Sequence, residues 1–180
     1  MLTRPVKSKE FVYSNLVTQY ATDIILSVPL ELTAGTGVDQ MIGNRATLLA
    51  LRVRFYASNR YPDGSLMTSY LYAHAGCRTA LVQSLSGSSL SSFNHLYVPT
   101  ASDVENYQFL HDHTRFAPFV YTALPNQTSR FAMIDDFTIP LGIPYQIDGN
   151  SRHLTFYFDF FKNLENVELF YTLSLTFQDN

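Results

Sequence analysis

Two histidines in this 180-residue chain are spaced so that one ion can contact both. His111 and His113 lie two residues apart, so on a β-strand both side chains leave the same face. Imidazole is a common ligand of transition metals, but a catalytic zinc needs three protein ligands and an open position. The neighbouring sequence supplies no visible third ligand. We therefore interpret the pair as surface or interface histidines and only a weak candidate metal site.

Two adjacent aspartates are the second weak candidate. Asp135 is in phase with the apolar Phe131, Met133 and Phe137, so a regular strand would bury its carboxylate, which is costly without a partner. Carboxylate oxygens suit calcium, and Asp135 with Asp136 is a conceivable calcium site between two chains. A β-bulge that turns Asp135 outward is the simpler interpretation, and we adopt it.

Catalytic residues are not evident elsewhere in the sequence. Cys77 is the only cysteine, which excludes a disulfide within the chain. His74 is close to it in sequence, but no group that would activate a nucleophile is visible, and a small buried thiol is the default interpretation. The sequence therefore predicts that the protein is not an enzyme and carries no cofactor.

Basic side chains are the remaining candidates for chemistry. The formal charge of −3 and the pI near 5.9 argue against a protein whose whole surface binds nucleic acid, so any contact must be local. The candidates are Arg4, Lys7, Lys9, Arg45, Arg52 and Arg54. Arg52 and Arg54 share one face of a long predicted strand, where guanidinium groups can bind phosphate. Salt bridges to acidic residues of a neighbouring subunit are the equally weighted alternative.

Period-two alternation of apolar and polar residues predicts the best-defined strands. It covers Ile24–Leu32, Thr47–Ala57, Leu154–Phe160 and Val167–Phe177, the last two being consecutive antiparallel strands. Because Pro29 cannot donate a hydrogen bond to a neighbouring strand, the first of these strands should have an open edge or a bulge.

Weaker alternation brings the predicted number of strands close to eight. It covers Cys77–Leu85, Tyr107–Phe116 and Arg130–Ile139, and helical periodicity is limited to one possible turn between Ser88 and Tyr97. The residues predicted to lie between two sheets are Leu49, Leu51, Val53, Phe55, Leu169, Leu173 and Leu175.

These strands predict an all-β fold, a single jelly-roll antiparallel β-sandwich of about eight strands. Long connections between strands favour a Greek-key sandwich over an up-and-down barrel. We assign residues 1–20 to a short N-terminal arm and residues 21–180 to the jelly-roll domain. Only 15% of the residues are charged and 14% are aromatic, a composition that favours self-association. No apolar stretch is long enough to span a membrane, and we expect no membrane contact.

Three segments together resemble a known family. Leu32 to Arg45 resembles a "G-T-G-x-x-Q-R-x-G-x-(K/R)" entry into a long strand, Tyr107 to Phe116 resembles an "R-F-x-x-L-x-D-x-x-F" strand, and Thr176 to Asp179 resembles a closing "V-x-F-x-D". Their order and spacing are similar to those in circovirus-like capsid proteins of circular Rep-encoding single-stranded DNA viruses. The coat proteins of satellite necrosis viruses are more distantly similar.

The resemblance implies a coat protein that associates with itself in an icosahedral shell of roughly sixty subunits or a multiple. Single-stranded nucleic acid would be the second partner, and the virion, assembled inside the host cell, would be the location. Met41 stands where many family members have a basic residue, and only Arg4, Lys7 and Lys9 precede the domain where the family has an arginine-rich arm. We therefore expect at most weak packaging of nucleic acid.

Two other functions are compatible with a jelly roll. A lectin-like or ligand-binding oligomer is the main alternative, and it predicts a monomer or small ring with a pocket. A cupin-type enzyme ranks third, since it would need a fuller set of histidine and glutamate ligands than the sequence contains.

Overall fold

The described part of the chain folds into eight strands and one short helix in the computed structural model. The structure describes residues 8–19, 24–59, 76–88, 90, 93–116, 132–147, 153–161 and 167–179. The elements are β1 (Lys9–Gln19), β2 (Ile24–Leu30), β3 (Arg45–Asn59), β4 (Gly76–Ser84), α1 (Ala101–Asn106), β5 (Tyr107–Phe116), β6 (Ala132–Gln146), β7 (Leu154–Phe161) and β8 (Val167–Asp179).

The strands form two antiparallel sheets of four. The first sheet has the order β1-β8-β3-β6 and the second has the order β2-β7-β4-β5. This is an eight-stranded jelly roll, so the predicted fold is confirmed. The consecutive strands β7 and β8 lie in different sheets and do not pair with each other. Pro29 lies on β2, which is an edge strand as its missing N–H group requires.

The first strand extends the sandwich into the predicted arm. Residues 9–19 pair with β8 along their whole length, so the second half of the predicted arm is a strand of the first sheet. Phe11, Tyr13 and Val17 pack against the core, while Val12 and Leu16 on the opposite face are exposed. Apolar residues on both faces obscure the alternation, which is why the sequence pattern did not reveal this strand.

Aromatic side chains of β7 form the centre of the core between the sheets. Phe156, Phe158 and Phe160 are fully buried, and Phe158 makes an edge-to-face contact with Phe55 at a centroid distance of 5.4 Å. Six of the seven predicted core residues are buried; they are Leu51, Val53, Phe55, Leu169, Leu173 and Leu175.

Leu49 is the core prediction that was wrong. Leu48 is buried at 1% exposure, whereas Leu49 is only half-buried. The pairing of β3 with both of its neighbours shifts between Leu48 and Ala50, so one residue bulges out of the ladder. A single extra residue exchanges the two faces of a strand, and it places Ala46 and Leu48 in the core before the bulge.

A cap covers the outer face of the second sheet, and we define it as the described residues 85–88, 90 and 93–106. Leu90 and Phe93 of the cap form a second buried cluster with Ala80, Val82 and Tyr157 of the sheet. The hydroxyl of Tyr157 donates a hydrogen bond to the carbonyl of Leu90 at 3.2 Å. The middle strands β4 and β7 of the second sheet are therefore covered on both faces, while Ile25 on β2 and Phe116 on β5 stay exposed.

Helix α1 lies at the end of the cap, later in the chain than the predicted turn. It starts with a capping box, in which the Thr100 hydroxyl accepts from the Asp103 amide and the Asp103 carboxylate accepts from the Thr100 amide. The spacing of Thr100 and Asp103 was the sequence signal for this helix. No described helix is long and apolar enough to cross a membrane.

Candidate interaction surfaces

Arg52 and Arg54 project from the outer face of the first sheet, as their positions in the strand predicted. Arg52 donates to both carboxylate oxygens of Asp136 on β6 at 2.9 Å, and Arg54 donates to the same carboxylate at 2.9 Å. The hydrogen bond from Arg52 is the main reason that the pKa of Asp136 is lowered. One carboxylate of the same chain thus contacts two of the predicted phosphate-binding groups.

The other predicted basic residues are not grouped with this pair. Arg45 is exposed at the start of β3, whereas the Lys9 ammonium lies 2.7 Å from the Asp179 carboxylate and donates to the Gln40 carbonyl at 2.8 Å. These contacts give Lys9 a structural role at one end of the sandwich. Arg4 and Lys7 lie outside the described residues.

The glycine-rich loop before β3 is held together by the side chain of Gln40. The side-chain oxygen Oε1 of Gln40 accepts a hydrogen bond from the Gly37 amide at 3.0 Å. A Cβ at Gly35 would lie 1.9 Å from that oxygen, so only glycine fits there without moving Gln40. The Ile42 amide donates to Asp179 at 2.9 Å. The loop and the closing strand, which are far apart in sequence, therefore meet at one end of the fold.

Four exposed apolar residues form a row across the outer face of the first sheet. Leu16 pairs with Phe170, Phe170 pairs with Tyr56, and Tyr56 pairs with Ile134, so the row crosses all four strands. Their exposed fractions are 56%, 49%, 41% and 75% respectively. We call these residues the apolar row. Sequence reasoning missed it because β1 was not predicted and the pairing of the strands was unknown.

His111 and His113 line a cleft between the edge strands β5 and β6. Their ring centroids are 6.3 Å apart, and the cleft has a volume of about 340 Å³. The His111 ring stacks on Phe137 at 5.0 Å and lies 3.1 Å from the Thr79 hydroxyl. Burial lowers the pKa of His111, and His113 adds to this effect. Within the described residues no three His, Cys, Asp or Glu side chains are grouped so that they could hold a metal ion.

The expected bulge at Asp135 was wrong. The pairing of β6 with β3 is regular from Phe137 to Asp135, and Asp135 is buried with 8% exposure. Its carboxylate accepts from Arg115 of β5 at 2.7 Å, so an ion pair between the two sheets offsets the cost of burial. Cys77 is buried as expected, and burial raises its pKa well above the usual value.

A buried polar cluster, which the sequence did not reveal, holds the cap on the second sheet. Arg78 donates to both oxygens of Asp112 at 2.8 and 2.6 Å and also to the carbonyls of Asn94 and Tyr97 in the cap. The bond to Asp112 is the main reason that the pKa of Arg78 is raised. The fully buried Asp159 carboxylate lies 3.3 Å from His95 Nδ1. Asp112 belongs to the strand that resembles the capsid family, and this ion pair gives it a structural role.

Comparisons with known proteins identify no family. No family model matches the chain, and no curated protein matches it. Among solved structures, a chain in the structure of infectious bursal disease virus Gx strain is similar, with 9% identity and a TM-score of 0.38. The match covers 96% of this chain and 32% of that chain, so this chain spans about a third of its length. So low a TM-score supports no argument, and the jelly-roll assignment rests on the strand order.

Proposed function

We propose that the protein is a viral coat protein that works by associating with copies of itself in a closed shell. The observation that carries the proposal is the difference between the two outer faces of the sandwich. The cap of the same chain covers the middle of the outer face of the second sheet, over β4 and β7, whereas the middle of the outer face of the first sheet is open and presents the apolar row. Grouped apolar side chains on a surface are typical of sites where proteins associate.

The charges on the exposed face also favour a protein partner. Arg52 and Arg54 are bound to the single carboxylate of Asp136, and Glu10 and Glu168 lie on the same face, so the described part of this face is not basic. A strongly basic face would repel a second copy and attract nucleic acid, while a nearly neutral face with apolar residues suits protein contact. The family resemblance of the three sequence segments supplies the finer proposal of an icosahedral shell around a single-stranded genome.

Binding of nucleic acid is the secondary part of the proposal. Arg45, Arg52 and Arg54 are the candidates, through contacts to phosphate that carry no sequence information. Because Asp136 competes for two of them, we expect weak packaging and particles with little nucleic acid. Replacing all three arginines with glutamine should lower the ratio of absorbance at 260 and 280 nm while closed shells still form. Loss of assembly in this variant would instead identify the arginines as subunit contacts.

Sedimentation velocity and electron microscopy of the purified full chain test the proposal. Wild-type protein should form closed particles, and Ile134→Asp, which places a charge in the apolar row, should shift it toward monomers. Val38→Asp is the matched control because Val38 is 89% exposed in the loop before β3, away from the row. Monomers or small rings of the wild type over a range of salt and pH would contradict the shell and favour the ligand-binding alternative.

A further inference from the structure

Strand β1 forms an edge of the first sheet, and its outward backbone groups are open to another strand. Among the described strands it pairs only with β8. The Leu16 amide donates to the Asn15 side-chain oxygen at 2.8 Å in an exposed hydrogen bond, so this amide points away from β8. Because alternate residues of an antiparallel strand point their backbone groups in the same direction, those of Glu10, Val12 and Ser14 also face outward.

The other three edge strands carry features that block the addition of a strand, and β1 carries none. Strand β2 contains Pro29, and β6 contains Pro140 and Pro144, which have no amide hydrogen to donate. The pairing of β5 with β4 is interrupted by a shift in register. In contrast, β1 has no proline and a regular register with β8, and its two charged residues, Lys9 and Glu10, lie together at one end. Proteins commonly protect open edges, so an unprotected edge indicates a strand that pairs with a partner.

The sequence of β1 is complementary to itself about Ser14. An antiparallel pair centred on Ser14 aligns the whole of β1 with the same strand of a second copy. On the outer face Val12, which is 52% exposed, then lies opposite Leu16 of the second copy, and the reciprocal pair forms at the same time. On the inner face Phe11 lies opposite Val17, both of which pack against the core in one chain. A shift of two residues in either direction would place a polar residue opposite Leu16, so the apolar pairs across the strands favour this register.

We propose that two copies pair through β1 across a twofold axis at Ser14, which joins their first sheets into one continuous sheet. The inference rests on the proposed function, because it names one contact through which copies associate. Lys9 and Glu10 of the two copies lie at opposite ends of the paired strands, so like charges do not face each other. An icosahedral shell contains twofold axes, and a twofold pair closes at two copies, so the apolar row supplies a different contact of the shell.

Cross-linking in assembled particles tests the register. Ser14→Cys places two thiols opposite each other with their Cα atoms about 5.5 Å apart, a distance that a disulfide spans. Mild oxidation should therefore produce covalent dimers on a non-reducing gel, since the native Cys77 is buried. Val12→Cys is the matched control, because its two copies would be separated by about 14 Å along the strands. It should cross-link only when it is co-expressed with Leu16→Cys.

Ser14→Pro tests the backbone pairing in solution. In the Ile134→Asp background, which prevents shells, sedimentation velocity should show monomers at low micromolar concentration and dimers as the concentration is raised toward millimolar, because one strand pair is a small contact. Ser14→Pro removes an outward amide but no bond to β8, so the chain should fold and the dimer should weaken about tenfold. Thr138→Pro, the same change two residues before Pro140 on the edge of β6, is the matched control and should leave the dimer unchanged.

The outcomes separate the strand pair from the shell. Ser14→Cys particles that do not cross-link, or proline variants that weaken the dimer equally, would overturn the β1 contact while the particles uphold the shell. An Ile134→Asp variant that stays monomeric at high concentration would overturn the contact as well. Cross-linking of Val12→Cys with itself would overturn the register centred on Ser14. Wild-type protein that forms dimers through β1 but no particles would overturn the proposed function and uphold the strand pair.

Discussion

Removing the Asp112 carboxylate should be among the most damaging polar substitutions in the protein. Arg78 has a side chain only 9% exposed, and Asp112 supplies two of its hydrogen bonds at 2.8 and 2.6 Å. Breaking a buried ion pair by removing one partner costs about 3 to 5 kcal/mol. Arg78 keeps bonds to cap carbonyls, and Asp112 is 36% exposed so that water can enter, which reduces the cost. We therefore expect Asp112→Ala to lower the free energy of unfolding by about 2 to 3 kcal/mol.

Urea unfolding of the variant measures this loss, in an Ile134→Asp background that keeps the protein monomeric. Asp136→Ala is the matched control because its carboxylate also binds an arginine bidentately but is 44% exposed, and its effect should be much smaller. Amide hydrogen exchange should increase in the cap, since Arg78 connects the cap carbonyls to the sheet. Equal effects of the two aspartate substitutions would refute the argument from burial.

A double-mutant cycle separates the ion pair from packing. Arg78→Met with Asp112→Leu removes both charges. The bonds from Arg78 to the Asn94 and Tyr97 carbonyls are lost in the Arg78 single variant and in the double variant alike, so their loss cancels in the cycle. The double variant should be more stable than the sum of the two single losses predicts, by about 1 to 3 kcal/mol. Additive losses would mean that the Arg78 guanidinium is stabilised by the cap carbonyls and by its position 5.0 Å from the Phe93 ring.

Two further predictions concern the open cleft and the glycine loop. Because the pKa of His111 is lower in the folded protein than its ordinary value of 6.5, acid favours the unfolded chain, and stability should fall as the pH drops below about 6.5. His111→Gln should flatten this dependence in denaturation measured from about pH 5 to 8, and an unchanged slope would assign it to other groups. Gly35→Ala should cost about 1 kcal/mol by displacing Gln40 from the Gly37 amide. In a Gln40→Ala background the same substitution should cost almost nothing, as thermal unfolding would show.

Strand positions were predictable wherever one face of a strand is buried and the other is polar. β5 has the predicted bounds, and β8 extends the predicted strand by only two residues. The same rule failed at β1, where Val12 and Leu16 are apolar on the exposed face. Alternation of apolar and polar residues indicates a strand only when one face is buried and the other face is polar. A strand with apolar residues on both faces therefore lacks the pattern.

Side-chain partners were the part that local sequence could not supply. Asp135 was expected to turn outward because a buried carboxylate needs a partner, and Arg115 lies 20 positions earlier on a strand of the other sheet. The Leu49 bulge similarly depends on register with both neighbouring strands. These residues come together because of the strand order of the jelly roll. The periodicity of a single segment does not show which strands are its neighbours in the sheet.

The position of Asp136 separates two interpretations of the same arginines. Sequence reasoning weighed phosphate against acidic residues of another subunit, and it did not consider a carboxylate on the adjacent strand of the same chain. Arg54 and Asp136 are directly paired across β3 and β6, and Arg52 contacts the same carboxylate at the same distance of 2.9 Å. Phosphate must compete with that carboxylate for Arg54, whereas an apolar partner surface need not. The pairing therefore favours a protein over nucleic acid on this face of the first sheet, so Ile134→Asp should lose closed particles while the variant with all three arginines replaced by glutamine should keep them.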